Sequence, residues 1–312
     1  MSFKVFVDGS EGTTGLQIHE RLAGRPELEL IAIDPAQRKD PAARADCLNA
    51  ADVAFLCLPD EAARESAALV TNPETVVIDA STAHRIDPAW AYGLPELGPG
   101  YREAILASSR IANIGCHAGA FLLGVTPLVR AGLVPAATRL TAFSLTGYTG
   151  GGKKMIADYE ASDRPAALAS PRPYALGLSH KHLPEMRRHS GLDHPPLFQP
   201  VVGAYAQGLS VTVPLLLTEL PGTPTPEALH TALAEAYAES IFVRVLPWGE
   251  APAFFDVQAC NGTNRADVLV SGHADQAVVM VRLDNLGKGA SGSAIQNMNL
   301  RLGLAEYTGL KA

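Results

Sequence analysis

Phe3-Lys-Val-Phe-Val7, then Asp8-Gly9-Ser-Glu-Gly12-Thr-Thr-Gly15, then Leu16-Gln-Ile-His-Glu-Arg-Leu-Ala23 follow one another without a gap. The first run is short and apolar, the second is punctuated by glycine, and the third places apolar residues at helical spacing. Strand, glycine turn and helix in that order form the context in which a glycine triplet cradles a nucleotide. Gly9 permits the tight turn, Gly12 lets a pyrophosphate approach the backbone, and Gly15 lets the helix pack on the strand. Ser10 and Thr13 stand in the same turn and are assigned with the glycines to the cofactor. The spacing is GxxGxxG, one residue longer at its start than GxGxxG.

Residues 28–33, 53–58 and 76–80 are near-continuous apolar runs, the pattern of parallel strands buried on both faces. Between the last two, residues 59–70 open with proline and acids and read as a helix. The first third is therefore a doubly wound, Rossmann-like α/β dinucleotide-binding domain. Asp34 ends the second strand, where an acid holds the adenine ribose of NAD. Arg38 and Lys39 lie just beyond it and suit the 2′-phosphate of NADP, and spacing alone leaves both readings open. Asp79-Ala-Ser-Thr-Ala-His-Arg85 follows a strand at the sheet edge that binds ligands. Ser81 is assigned there to the cofactor, Arg85 to a phosphate or carboxylate, and His84 to a supporting loop.

At 312 residues the chain is long enough for two domains with a core each. Its net charge of -7 excludes a global basic field for nucleic acid or an anionic membrane. No apolar run approaches the roughly 18 residues of a membrane span, and the first strand leaves no room for a signal peptide ahead of it. Cys47, Cys57, Cys116 and Cys260 form no CxxC pair, which argues against a zinc site or a disulfide framework. The expectation is a cytoplasmic enzyme without nucleic-acid or membrane partners.

Asn113-Ile-Gly-Cys116-His-Ala-Gly119 delivers a cysteine to the start of an apolar segment of three or four helical turns. Unsatisfied N–H groups and the helix dipole favour negative charge there, so Cys116 is the candidate nucleophile. Residues 139–146 alternate as a half-buried strand, and residues 147–154 read as a flexible glycine loop ending in Lys153 and Lys154. His180 and His182 would share one side of an extended chain before a helix opened by Pro184 and Glu185. Two histidines without a third ligand nearby do not make a metal site. A histidine titrating near neutrality is the candidate acid/base, with His180 ranked ahead of His182. Two strands between 201 and 217, a helix over 225–240, and strands over 243–246, 267–271 and 277–283 complete an α+β domain with a mixed, largely antiparallel sheet. Asp284-Asn285-Leu-Gly287-Lys288-Gly289 then leads into a last helix expected to return to the first domain. The expected division is 1–115 with 290–312 for the nucleotide, and 116–289 for catalysis and oligomerisation.

Taken in order, Gly9-x-x-Gly12-x-x-Gly15, Asp79–Arg85, Tyr92-Gly-Leu-Pro-Glu96, Gly115-Cys116, Gly147-Tyr-Thr-Gly-Gly-Gly-Lys153, His180-Lys-His-Leu-Pro-Glu185 and Asp284–Gly289 are specific. The chain resembles the short form of the N-acetyl-gamma-glutamyl-phosphate reductases, within the aspartate-semialdehyde dehydrogenase superfamily. The family usually reads Asn-Pro-Gly-Cys-Tyr-Pro-Thr around its nucleophile. Here Ile114, His117, Ala118 and Gly119 depart while Gly115-Cys116 stands. The resemblance implies NADPH-dependent reduction of a small-molecule acyl phosphate through a Cys116 thioester, with phosphate release, in arginine biosynthesis. It implies His180 or His182 as acid/base, Arg85 on the phosphate, and Glu185 orienting the histidines or substrate. It also implies Lys153 at the substrate, and Asn285 and Gly289 at the cofactor, in a homodimer or homotetramer. Alternatives are a reductase of aminoadipyl phosphate, an aspartate-semialdehyde dehydrogenase, or a non-catalytic nucleotide sensor of the same fold.

Overall fold

A computed structural model describes residues 2–9 and 12–312. The chain divides into two compact units. Met1–Pro95, Pro99–Ile114 and Ala290–Leu310 form the first, and Glu96–Gly98, Gly115–Gly289 and Lys311–Ala312 the second.

The first unit runs β1 (Phe3–Asp8), α1 (Thr13–Leu22), β2 (Leu28–Ile31), α2 (Pro41–Ala50), β3 (Val53–Leu56), α3 (Asp60–Ala68), β4 (Val76–Asp79), β5 (Ala91–Tyr92), α4 (Pro99–Ala107) and β6 (Arg110–Ala112). Its six strands are all parallel, in the order β2-β1-β3-β4-β6-β5. Alternation along β1 explains the continuous apolar run. Val5 and Val7 enter a core with Ile18, Leu22 and Ile78, while Phe6 enters another with Leu48, Leu56 and Val77. Helix α2 is drawn by an Asp-Pro start: the Asp40 carboxylate accepts from the Ala42 N–H at 3.1 Å, and Pro41 occupies the first turn.

The second unit runs α5 (Cys116–Arg130), β7 (Thr141–Gly147), α6 (Gly152–Glu160), β8 (Arg172–Pro173), α7 (Leu183–Ser190), β9 (Leu197–Gly203), β10 (Leu209–Leu216), α8 (Pro226–Ala236), β11 (Val243–Val245), β12 (Ala266–His273) and β13 (Gln276–Leu283). Its seven strands lie in the order β11-β12-β13-β10-β7-β9-β8. Only β11 with β12 and β7 with β9 pair in parallel, so the sheet is mixed and largely antiparallel. Helix α5 is buried along nearly its whole length and packs on β10 and β13. Gly124 permits the approach, since a Cβ there would meet Val281 at 3.1 Å. Phe143 on β7, Leu197 on β9 and Leu216 at the end of β10 remain exposed. The chain then returns to the first unit as α9 (Gly292–Arg301), whose Ile295 and Met298 join the core of Val5 and Val7. Among the described residues, no helix is long and apolar enough to cross a membrane.

Two local expectations change. The glycine stretch 147–154 is ordered: a 3-10 turn over Tyr148–Gly151 leads into α6, and Tyr148 and Thr149 donate backbone N–H bonds to Tyr205 and Ala206. Residues 180–182 are not extended. The Leu183 N–H donates to the His180 carbonyl at 3.0 Å, which closes a turn into α7.

Candidate active site

In the second unit, Gly115 is the extended N-cap of α5 (φ -90°), and no side chain caps the helix. Cys116, half-buried, is its first residue, where N–H groups and dipole favour a negative sulfur. The cap is anchored from α7: the Gly115 N–H donates to Glu185 Oε1 at 2.8 Å, with Glu185 buried. Beside the cysteine lies Gly289, where a Cβ would stand 2.7 Å from the Cys116 Cβ. Its neighbour Lys288 is wholly buried, paired with Glu96 at 2.6 Å and set near the Phe242 ring.

The residue after Cys116, His117, is the hub of an aromatic cluster. Its ring lies 5.4 Å from His180, 5.6 Å from His182 and 5.4 Å from Phe198. Nδ1 is 2.8 Å from Ser144 Oγ, and Nε2 is 2.9 Å from the Tyr174 hydroxyl. Burial, with His180 and Lys181 adding to it, pushes His117 down to about 3, so the ring is neutral. Burial also raises Tyr174, assisted by the charge of Cys116, so the phenol keeps its proton. Ala175 and Leu178, both left-handed (φ 53° and 55°), fold the intervening loop so that the Tyr174 and His180 rings meet at 5.9 Å. His180 is held at about 4 by burial and by Lys181, against the opposing pull of Glu185, rather than near neutrality. Its Nδ1 accepts from the His182 N–H at 3.2 Å, which leaves the ring proton on Nε2.

The first unit carries the nucleotide features. Gly9 has φ +85°, and a Cβ there would meet the Cys57 carbonyl at 2.5 Å, so only glycine fits. Among the described residues, Gly12 caps α1 without a side-chain partner, and the buried Thr13 hydroxyl in its first turn finds no hydrogen-bond partner. An orphaned hydroxyl at an uncapped helix start fits a pyrophosphate. Ser10 lies outside the described residues. A cavity of about 450 Å³ beside β1 is lined by Asp8, Gly9, Ile33, Arg38, Lys39 and Arg44 among others. Asp34 does not line it. Its carboxylate caps its own turn by accepting from the Ala36 N–H at 2.9 Å. The cationic wall fits a 2′-phosphate, which a lone acid at Asp34 would not.

Residues 4–106 match the family described as semialdehyde dehydrogenase, NAD binding domain, and residues 116–285 match semialdehyde dehydrogenase, dimerisation domain. An N-acetyl-gamma-glutamyl-phosphate reductase of Chelativorans sp. is 49% identical over 308 residues, covering 97% of this chain and 99% of the relative. The chain belongs to the N-acetyl-gamma-glutamyl-phosphate reductase family. A further reductase of that name, from Burkholderia orbicola, is 46% identical over 97% of this chain and 98% of its own. The fold extends to aspartate semialdehyde dehydrogenase II from Vibrio cholerae, with a TM-score of 0.74 at 18% identity over 97% of this chain and 99% of that one.

Within this reductase fold, Cys116, His180, His182, Glu185 and Gly289 all belong to the second unit, and the aromatic cluster gathers both histidines around the residue that follows Cys116. Gly9, Gly12, Thr13, Gly15, Arg38, Lys39, Ser81 and Arg85 belong to the first. Ser81 donates its hydroxyl to Asp79 at 2.7 Å. Arg85 is buried and donates to the carbonyls of Asn113 (2.8 Å) and Ala80 (3.0 Å), bracing two loops at the sheet edge. Asn285 is turned into its own unit: Oδ1 accepts from the Gly208 N–H, and Nδ2 donates to Thr149. Lys153 is exposed on the first turn of α6. Sequence reading missed Tyr174, Ser144 and Arg44. Arg44 pairs with Asp8 at 2.8 Å, and the Asp-Pro start of α2 was its available signal.

Proposed function

We propose that the protein reduces N-acetyl-gamma-glutamyl phosphate to N-acetylglutamate 5-semialdehyde with NADPH, releasing phosphate, in the cytoplasmic synthesis of arginine. The observation that carries this reading is Cys116 at the uncapped start of α5, followed at once by His117 and the histidines gathered on it. The sulfur attacks the acyl carbon, the C–O bond to phosphate breaks, and phosphate leaves with the electron pair, giving a thioester on Cys116. Glu185 holds the Gly115 N–H and so fixes the helix start from which the sulfur attacks. Gly9, Gly12, Gly15, Arg38 and Lys39 would hold NADPH, which when bound would supply a hydride for reduction to the aldehyde level. The His180 Nε2–H is the donor for the negative oxygen of the thiohemiacetal, with His182 capping α7 beside it. Collapse breaks the C–S bond and returns the electron pair to sulfur, so no proton has to be stored on the enzyme. Lys153, exposed on the first turn of α6, is a cation of the second unit open to the acyl phosphate.

Exposed apolar residues on the second sheet, among them Phe143 and Leu216, support a homodimer formed through that surface. Sedimentation velocity would separate this from a tetramer or monomer. Activity is tested in reverse, by phosphate-dependent reduction of NADP⁺ or NAD⁺ with N-acetylglutamate, aminoadipate-type and aspartate semialdehydes. Turnover with the first aldehyde and NADP⁺, abolished in Cys116→Ser, is expected. Preference for another aldehyde reassigns the substrate, and turnover surviving in Cys116→Ser refutes the mechanism.

A further inference from the structure

The motifs Tyr92–Glu96 and Asp284–Gly289 each carry a charged residue that the chemistry above does not use, Glu96 and Lys288. Both residues belong to the second unit, and they meet there. The wholly buried Lys288 donates from Nζ to Glu96 Oε1 at 2.6 Å, and the Glu96 side chain is itself only 6% exposed. Lys288 stands in a wide turn of π type, Gly287–Ser291. The Gly289 N–H reaches back five residues to the Asp284 carbonyl at 2.9 Å. The Asp284 carboxylate is fixed in turn, accepting from the Leu286 and Gly262 N–H groups, each at 2.9 Å. Turns of this kind are rare and gather at functional sites. Here Asp284 holds the turn at its start, the ion pair holds it one residue before Gly289, and Gly289 lies against the Cys116 Cβ.

We propose that Lys288 and Glu96 are positioning residues, whose buried ion pair holds the wide turn in place so that its backbone at Gly289 confines the Cys116 side chain. The inference rests on Cys116 as the nucleophile. Stability is a poor account of such a pair. Apolar side chains of similar volume often replace a buried ion pair at no cost, whereas losing one partner strands the other's charge. What the pair supplies is one direction and one length for the bond that anchors Lys288. Without it, the turn can relax toward ordinary α-helical closure, and Gly289 no longer has a single place beside the cysteine.

The test measures kcat and KM for phosphate-dependent reduction of saturating NADP⁺, thermal unfolding, and the rate of Cys116 alkylation by iodoacetamide, read on the Cys116 peptide by mass. Lys288→Met leaves the Glu96 carboxylate buried without that ammonium, and Tm should fall by roughly 10 °C. Adding Glu96→Gln removes the stranded charge and keeps an amide for the other contacts of Glu96, so about half or more of that loss should be recovered. In both variants kcat should stay at least about tenfold down, the cost of a sub-ångström shift at a reacting atom, with KM for the aldehyde within about threefold. Alkylation should run about threefold faster in both, because the cysteine is less confined. That readout needs no turnover. If Lys288→Met does not fold, the double variant decides. Leu229→Ala on α8, a fully buried site, is the control for stability: Tm should fall by a similar amount while kcat, measured well below Tm, stays within about twofold. The proposal is overturned if the double variant has wild-type kcat, if its alkylation rate is unmoved, or if Leu229→Ala loses as much kcat. Turnover surviving in Cys116→Ser would instead sink the nucleophile reading, and the alkylation rates would still judge the placement.

Discussion

Gly289→Ala adds one methyl group against the Cys116 Cβ. The φ angle of Gly289 is not in the left-handed region, so the backbone accepts alanine and only space opposes it. The new Cβ would stand 2.7 Å from the Cys116 Cβ, 3.1 Å from Leu283 Cδ1 and 3.2 Å from the Asp284 carbonyl. Carbon atoms rest about 3.5–4.0 Å apart, so the Cys116 Cβ and the methyl must separate by roughly 1 Å, and the sulfur moves with its Cβ. The Asp284 carbonyl limits retreat on the methyl side, and much of the movement therefore falls on Cys116. A displacement of that size at a reacting atom costs up to about 100-fold in rate, against only about 1–3 kcal/mol of folding stability for the overpacking. The assay is kcat for phosphate-dependent NADP⁺ reduction, with thermal unfolding and Cys116 alkylation measured in parallel. Gly100→Ala on α4, where a Cβ would meet nothing within 4 Å, is the control and should behave as wild type. A folded Gly289→Ala variant with kcat within twofold of wild type would refute the claim that this glycine sets the position of the sulfur.

Replacing both Arg38 and Lys39 with alanine should raise KM for NADPH at least tenfold and leave KM for NADH within threefold, as steady-state kinetics would show; equal losses for both cofactors would contradict the phosphate reading. Glu185→Ala strands the Gly115 N–H, so thermal unfolding should show a loss of about 1–3 kcal/mol together with a fall in kcat; an unchanged kcat would remove Glu185 from the support of the nucleophile. His117 titrates at about 3 in the fold and near 6.5 unfolded, so below pH 6.5 the unfolded chain binds a proton that the folded chain refuses. Stability present above that pH is lost as pH falls, by about 2 kcal/mol at pH 5, and the dependence should flatten in His117→Phe when unfolding is followed across pH.

The parts of this structure that depend on local pattern were legible. Strand β1, the glycine turn and α1 announce themselves because alternate residues of β1 serve two cores and Gly9 needs a left-handed backbone. Cys116 could be placed at a helix start because a glycine precedes a long apolar run. What depends on distant partners was not legible. The glycine stretch 147–154 reads as a loose loop, yet its order comes from residues 205–208. The histidines at 180 and 182 suit a strand by spacing, while the hydrogen bond from the Leu183 N–H makes a turn. Asp34 and the Arg38-Lys39 pair compete on paper until the aspartate is seen capping its own turn. His117 stood out only as a departure from a motif. Its partners Ser144 and Tyr174 lie 27 and 57 residues away, and no local pattern connects them.

The central claim is that Cys116 carries the acyl group. It is tested most directly by mixing the enzyme with N-acetyl-gamma-glutamyl phosphate without NADPH and recording the intact mass at once. One N-acetylglutamyl adduct, mapped to the Cys116 peptide, absent in Cys116→Ser and discharged on adding NADPH, is the predicted result. A protein that turns over its substrate yet carries no adduct, or carries it on another residue, would contradict the account.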